Sequence, residues 1–204
     1  MSERNTVVRA LNDVGLAAWF GGSLMGATGL NGAAAAVDDA RQRVRVAEAG
    51  WARWTPINLA AIGAHLVGGA GILYANKGRV RGQQGVAWST AAKTGVTVAA
   101  LGATAYSRVL GQKVMAAGDV PVEGGTEPSD ATPPGTAKAL QQLKMLQWAI
   151  PALTGGVLVL NALHGEQQKP SQQTKGLLKG NPIKALRGGA DASITDTLKS
   201  SVGL

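Results

Sequence analysis

Two histidines, a handful of asparagines and a complete lack of cysteine define what chemistry the apolar stretches of this chain could do. Without cysteine there is no disulfide, no thiolate zinc site and no cysteine-ligated iron–sulfur cluster. A haem gripped by two imidazoles across a helical bundle would need both at one depth. His65 stands midway along the uncharged run 54–76, whereas His164 ends the run 145–165. At about 1.5 Å of rise per residue their depths differ by roughly 12–15 Å, so one haem cannot join them and no cofactor is expected. His65 itself has two readings: a proton-relay or ligand-binding group at the bilayer midplane, or a neutral imidazole hydrogen-bonded to another helix. For the second, Asn31, Ser23, Thr94 and Thr97 are candidate partners, and Asn31 is the other midplane polar candidate.

Carboxylate pairs for acid–base work are missing from these runs, because none contains Asp or Glu. Ion-coupled pumps and proton-driven transporters usually keep an acidic residue in the membrane. A nucleophile elbow, a phosphate loop and a dinucleotide fingerprint are absent too, and the glycine-rich runs fall inside helical patterns rather than after strands. The chain is therefore read as no enzyme, with no catalytic, cofactor-binding or metal residue to name.

The 29 glycines, with 35 alanines beside them, suit a different task. Gly22, Gly26, Gly29 and Ala33 recur at i, i+4, i+7 and i+11, which predicts one continuous small-residue face. Gly95, Ala99 and Ala103 repeat every four residues further on. Small faces let helix backbones approach closely where lipid removes the hydrophobic drive. Both sets are expected to be helix-packing or docking faces.

The elements that carry these residues follow from the gaps between charges. Uncharged runs of 24 residues (14–37), 23 residues (54–76) and 21 residues (145–165) each reach the length a helix needs to cross a bilayer. A fourth run, 94–107, holds only 14 residues, but snorkelling of Lys93 and Arg108 extends it to a span over 88–110. Its small residues predict a place inside the bundle. The fold class is thus all-α: a polytopic membrane protein over residues 1–165, with spans at about 14–37, 54–76, 88–110 and 145–165. The first apolar run is too long and too acid-flanked for a cleaved signal peptide, so a retained first helix is expected.

Lys and Arg distribution places both termini in the cytoplasm of a plasma (inner) membrane protein, although Arg41, Arg43, Arg45 and Arg53 in the first outer loop work against that bias. Trp51, Trp54 and Trp148 mark the outer boundary and Trp88 the inner one, either as headgroup-level rings or as ordinary buried tryptophans. The Pro-, Gly- and acid-rich segment within 111–136 reads as a flexible external loop. The tail 166–204 interleaves leucine with Lys175, Lys179, Lys184 and Arg187, a composition suited to an anionic lipid surface or to a partner subunit. The net charge of +8 follows from these segments, and no aromatic-basic stripe points to nucleic acid.

The run from Arg9 through Ala-Leu-Asn-Asp-Val-Gly-Leu-Ala-Ala-Trp-Phe-Gly-Gly to Gly32 resembles small four-helix membrane proteins of high-GC actinobacteria. It is also similar to the DoxX family, whose first helix opens with Arg and continues through spaced glycines. The long external loop and basic tail depart from that pattern, so no functional residue is carried over. Three functions compete: a non-catalytic accessory subunit among other integral membrane subunits, in a respiratory supercomplex or an envelope lipid-transport complex; a DoxX-like redox- or quinone-associated protein, which needs a cavity around His65; or a small self-assembling channel or carrier, for which only Asn31, Asn58, His65 and Asn161 offer polar lining.

Overall fold

The computed structural model describes residues 5–77 and 84–167, with side chains at 5–77 and 88–163. Contacts separate a unit over 1–160 from another over 161–204, and the packing that follows is that of the first. Among the described residues every regular element is helical: α1 Thr6–Met25, a π-helical turn Gly26–Leu30, α2 Asn31–Ala35, α3 Gln42–Ala75, α4 Gln84–Ala116 and α5 Pro134–Gln167. Lys175, Lys179, Lys184 and Arg187, and the helix expected after Asp191, lie outside them.

Glycine sets the closest pairing. α1 runs antiparallel to α3, and a Cβ on Gly15 would stand 2.6 Å from the His65 backbone nitrogen, while one on Gly68 would collide with the backbone of Val8 and Asn12. Only hydrogen fits at these positions, so the two backbones touch. Both glycines escaped the sequence reading, although Gly15, Gly22 and Gly26 share one helical face with Trp19.

Past Gly26 that face turns away. The π-helical turn inserts a residue into the helical ladder, and each helical residue rotates the chain by about 100°. Gly29 and Ala33 consequently lie exposed, whereas Asn31 is brought inward and buried. The expected unbroken face from Gly22 to Ala33 is thus two faces.

Two apolar cores stack along the bundle. Leu16 and Trp19 of α1 meet Ile62 of α3, Ala100 of α4, and Ile150 and Val157 of α5. A second core joins Val44, Leu110, Val114, Ala139, Leu140 and Leu143 with Val120 and Val122 of the segment linking α4 to α5. α3 and α5 are long and apolar enough to cross a membrane, yet only 22% and 28% of their most apolar stretches are buried.

The linking segment corrects the expectation of a flexible loop over 111–136. α4 continues to Ala116 and α5 begins at Pro134. Between them Val122 is fully buried, Ser129 and Thr132 hydroxyls donate to the Pro121 carbonyl, and Glu123 N–H donates to the Glu127 carbonyl at 2.8 Å. Arg43 of α3 donates to the carbonyls of Val37, Val122 and Glu123. Composition argues for disorder only when a segment has nothing to bury; here two valines and the arginine hold it as a strap.

Candidate functional site

His65 is 2% exposed and locked to α1. The Asn12 side-chain amide donates to the His65 carbonyl at 2.9 Å and lies 3.0 Å from the ring Nδ1, which is also 3.0 Å from the Asn12 carbonyl oxygen. The Trp19 ring tilts against the imidazole, centroids 6.3 Å apart, and its N–H donates to the Thr104 hydroxyl. Asn12 was not among the four expected partners. It precedes Asp13, just outside the charge-free run, but α1 already starts at Thr6 and antiparallel packing carries Asn12 to the level of His65. Of the four, Ser23 donates to its own helix at Trp19, Thr94 to Thr90, and Asn31 to the Gln147 side chain.

The small-residue positions separate by environment. The rings of Trp54 and Trp51 fill the space over Gly22 and Gly26, where any Cβ would overlap them. These indoles therefore face inward, in keeping with the buried-tryptophan alternative; Trp88 and Trp148 are the exposed pair, at 78% and 52%. On α4 the every-four repeat does not form one contact surface. Four residues overshoot a full turn by about 40°, so Gly95 and Ala99 point out of the unit while Ala103 packs against the core. The expectation that this helix hides its small residues holds on one side only.

Between the two cores lies a cavity of about 380 Å³. α3 contributes Glu48, Trp51, Trp54, Thr55 and Asn58; α4 contributes Thr104, Ala105, Ser107 and Arg108. Ser23 of α1, Leu143, Gln147 and Ile150 of α5, and Gly125 of the strap also line it. A volume near the lower end of small-molecule sites, apolar walls and a few convergent polar groups fit the usual form of a ligand site. The indole N–H groups of Trp51 and Trp54 and the Asn58 side-chain oxygen are shielded without a hydrogen-bond partner. Burial raises the pKa of the Glu48 carboxyl, against the opposing pull of Arg108.

His65 does not line this cavity, and neither does Asn31. Among the described residues no three His, Asp or Glu side chains gather to hold a metal ion. Sequence alone marks Trp51 and Trp54 as outer-boundary or buried rings and Asn58 as polar lining, and does not bring them together with Glu48, Arg108 and Gln147. The available signal was the spacing of three and four from Trp51 to Trp54 to Asn58, one face of a helix. No family model, curated protein or solved structure matches the chain.

Proposed function

We propose that this chain is a plasma-membrane (inner-membrane) protein crossing four times, both termini cytoplasmic, and that it serves as a non-catalytic subunit packed into a larger membrane assembly. Support for the membrane comes from large apolar side chains that water would disfavour: Leu59, Val67 and Val159 are each more than 60% exposed. Two of the four arginines of the first outer loop have roles within the fold: Arg43 ties down the strap and Arg45 pairs with Asp119 at 3.0 Å. At the opposite end of α3, the Lys77 ammonium sits 4.6 Å over the exposed Tyr74 ring, a basic and aromatic pair suited to an inner boundary.

The observation that carries the subunit reading is an exposed seam on α4. Ala91, Gly95, Val98, Gly102, Ala105 and Val109 alternate at spacings of four and three, and every one of them is exposed. A Cβ at Gly95 or Gly102 would meet nothing. Against lipid such a notched surface leaves dispersion contacts unmade, whereas a neighbouring helix can seat its ridges in the notches.

A photo-reactive side chain at Val98, activated in intact cells, tests this. Cross-linking to a different integral membrane protein, abolished by Gly95→Leu or Gly102→Leu in a chain that still folds, is the expected result. Cross-links only to a second copy, or only to lipid, overturn the accessory-subunit reading. Topology is tested separately with Asp130→Cys and Ser201→Cys and an impermeant maleimide: labelling at 130 alone is expected, and labelling at both positions rejects four crossings with both termini inside.

A further inference from the structure

Three shielded polar atoms without a hydrogen-bond partner belong to residues that line the cavity beside Trp51. Trp51, Trp54 and Asn58 recur along one face of α3, and all three line the same space. Two indole N–H groups and one amide oxygen have no partner. A shielded donor or acceptor without a partner costs stability, and such groups in native folds call for an explanation. We propose that this cavity binds the uncharged, carbonyl- and hydroxyl-bearing head of a single-chain amphiphile, of which a monoacylglycerol is the simplest form.

The head chemistry follows from the inventory of atoms. Two neutral N–H donors call for acceptor oxygens, such as an ester carbonyl and a hydroxyl oxygen, and the Asn58 oxygen calls for a hydroxyl donor. An anionic head fits poorly. Arg108 is accompanied on the wall by the Glu48 carboxyl, so an anion drawn to that guanidinium would also meet an acidic group.

The chain of the ligand has a way out. Leu59 is 64% exposed and Ala105 is exposed, yet both also line the cavity, so it opens at the surface beside α3 and α4. That opening is apolar, and an acyl chain leaving through it would lie along Leu59. About 380 Å³ accommodates a glycerol-sized head and the first few methylenes, with the remainder of the chain outside.

The indole protons give a direct readout. The full chain, labelled with nitrogen-15 and held in phosphatidylcholine nanodiscs, would be titrated with monooleoylglycerol while the five tryptophan indole resonances are followed, assigned by single Trp→Phe replacements. The expected result is a saturable downfield movement of the Trp51 and Trp54 N–H signals. Trp19, already bonded to Thr104, should stay in place and report an intact fold. Asn58→Leu should weaken the titration about tenfold, the loss of one hydrogen bond, with the Trp19 signal unmoved. Lysophosphatidylglycerol, the anionic counterpart, should leave Trp51 and Trp54 unshifted. Equal or stronger response to the anionic lipid overturns the uncharged-head assignment. Absence of any saturable shift with monooleoylglycerol overturns the site, leaving a cavity occupied by water alone.

Discussion

Asn12 and His65 grip each other at a point where their two helix backbones are already in contact. Amide donates to carbonyl at 2.9 Å, ring nitrogen stands 3.0 Å from both amide nitrogen and backbone oxygen, and both residues are at most 2% exposed. Gly15 and Gly68 permit the approach; the polar pair fixes its register. A slide of either helix by one turn would leave a shielded imidazole facing alkyl groups.

The pair should therefore behave as a unit. Asn12→Leu or His65→Leu alone removes the side-chain contact and leaves the surviving side chain only its backbone oxygen across the helices; each should cost about 1–3 kcal/mol, whereas the double substitution should cost clearly less than the two singles added together. Thermal unfolding of the four proteins in mild detergent completes the cycle. Strict additivity would mean that the two side chains contribute separately and that the register is set by the glycines alone.

A second outcome concerns the first small-residue face. Gly22→Leu and Gly26→Leu drive a side chain into the Trp54 and Trp51 rings, and overpacking of this kind costs about 1–3 kcal/mol or more. Both variants should accumulate poorly and elute as aggregates on size-exclusion chromatography. Gly29→Leu, one π-helical turn away and exposed, should elute like the parent protein. Equal damage at Gly29 would place a buried neighbour where the packing leaves an open surface.

Helical class and the apolar lengths were legible because charge is expelled from long runs, and that signal survives any detail of packing. Side-facing was not. A single π-helical turn at Gly26 rotated Gly29 and Ala33 off the face that regular spacing assigned them and carried Asn31 inward, and nothing in Gly-Ala-Thr-Gly-Leu announces it. The strap was missed for a related reason: Val120 and Val122 are too few to make a periodic pattern, and their burial depends on Arg43 and Leu140, distant in sequence. The cavity follows the same logic, since Trp51 and Asn58 are local neighbours but Arg108 and Gln147 arrive from other helices.

The last prediction turns on Glu48, which lies on the part of α3 before the expected span 54–76. Its carboxyl lies over α4, where a Cβ on Gly111 would stand 3.4 Å from it, and burial raises its pKa while Arg108 pulls the other way. The folded chain therefore holds this proton more tightly than the unfolded chain does. By linkage, the group's stabilising contribution is complete below the ordinary glutamate pKa, declines as pH climbs from there through the raised value, and changes no further above it. Gln mimics the protonated carboxyl at all pH values, so Glu48→Gln should match the parent in acid and melt higher at neutral pH. Melting curves from about pH 4 to pH 8 would span the window of an upward-shifted carboxylate. The gain is limited by Arg108, whose attraction favours the carboxylate that the variant lacks. If Glu48→Gln melted lower than the parent at neutral pH, the attraction to Arg108 would outweigh the burial of the carboxylate, and the two would have to be read as a stabilising pair at the wall of the cavity.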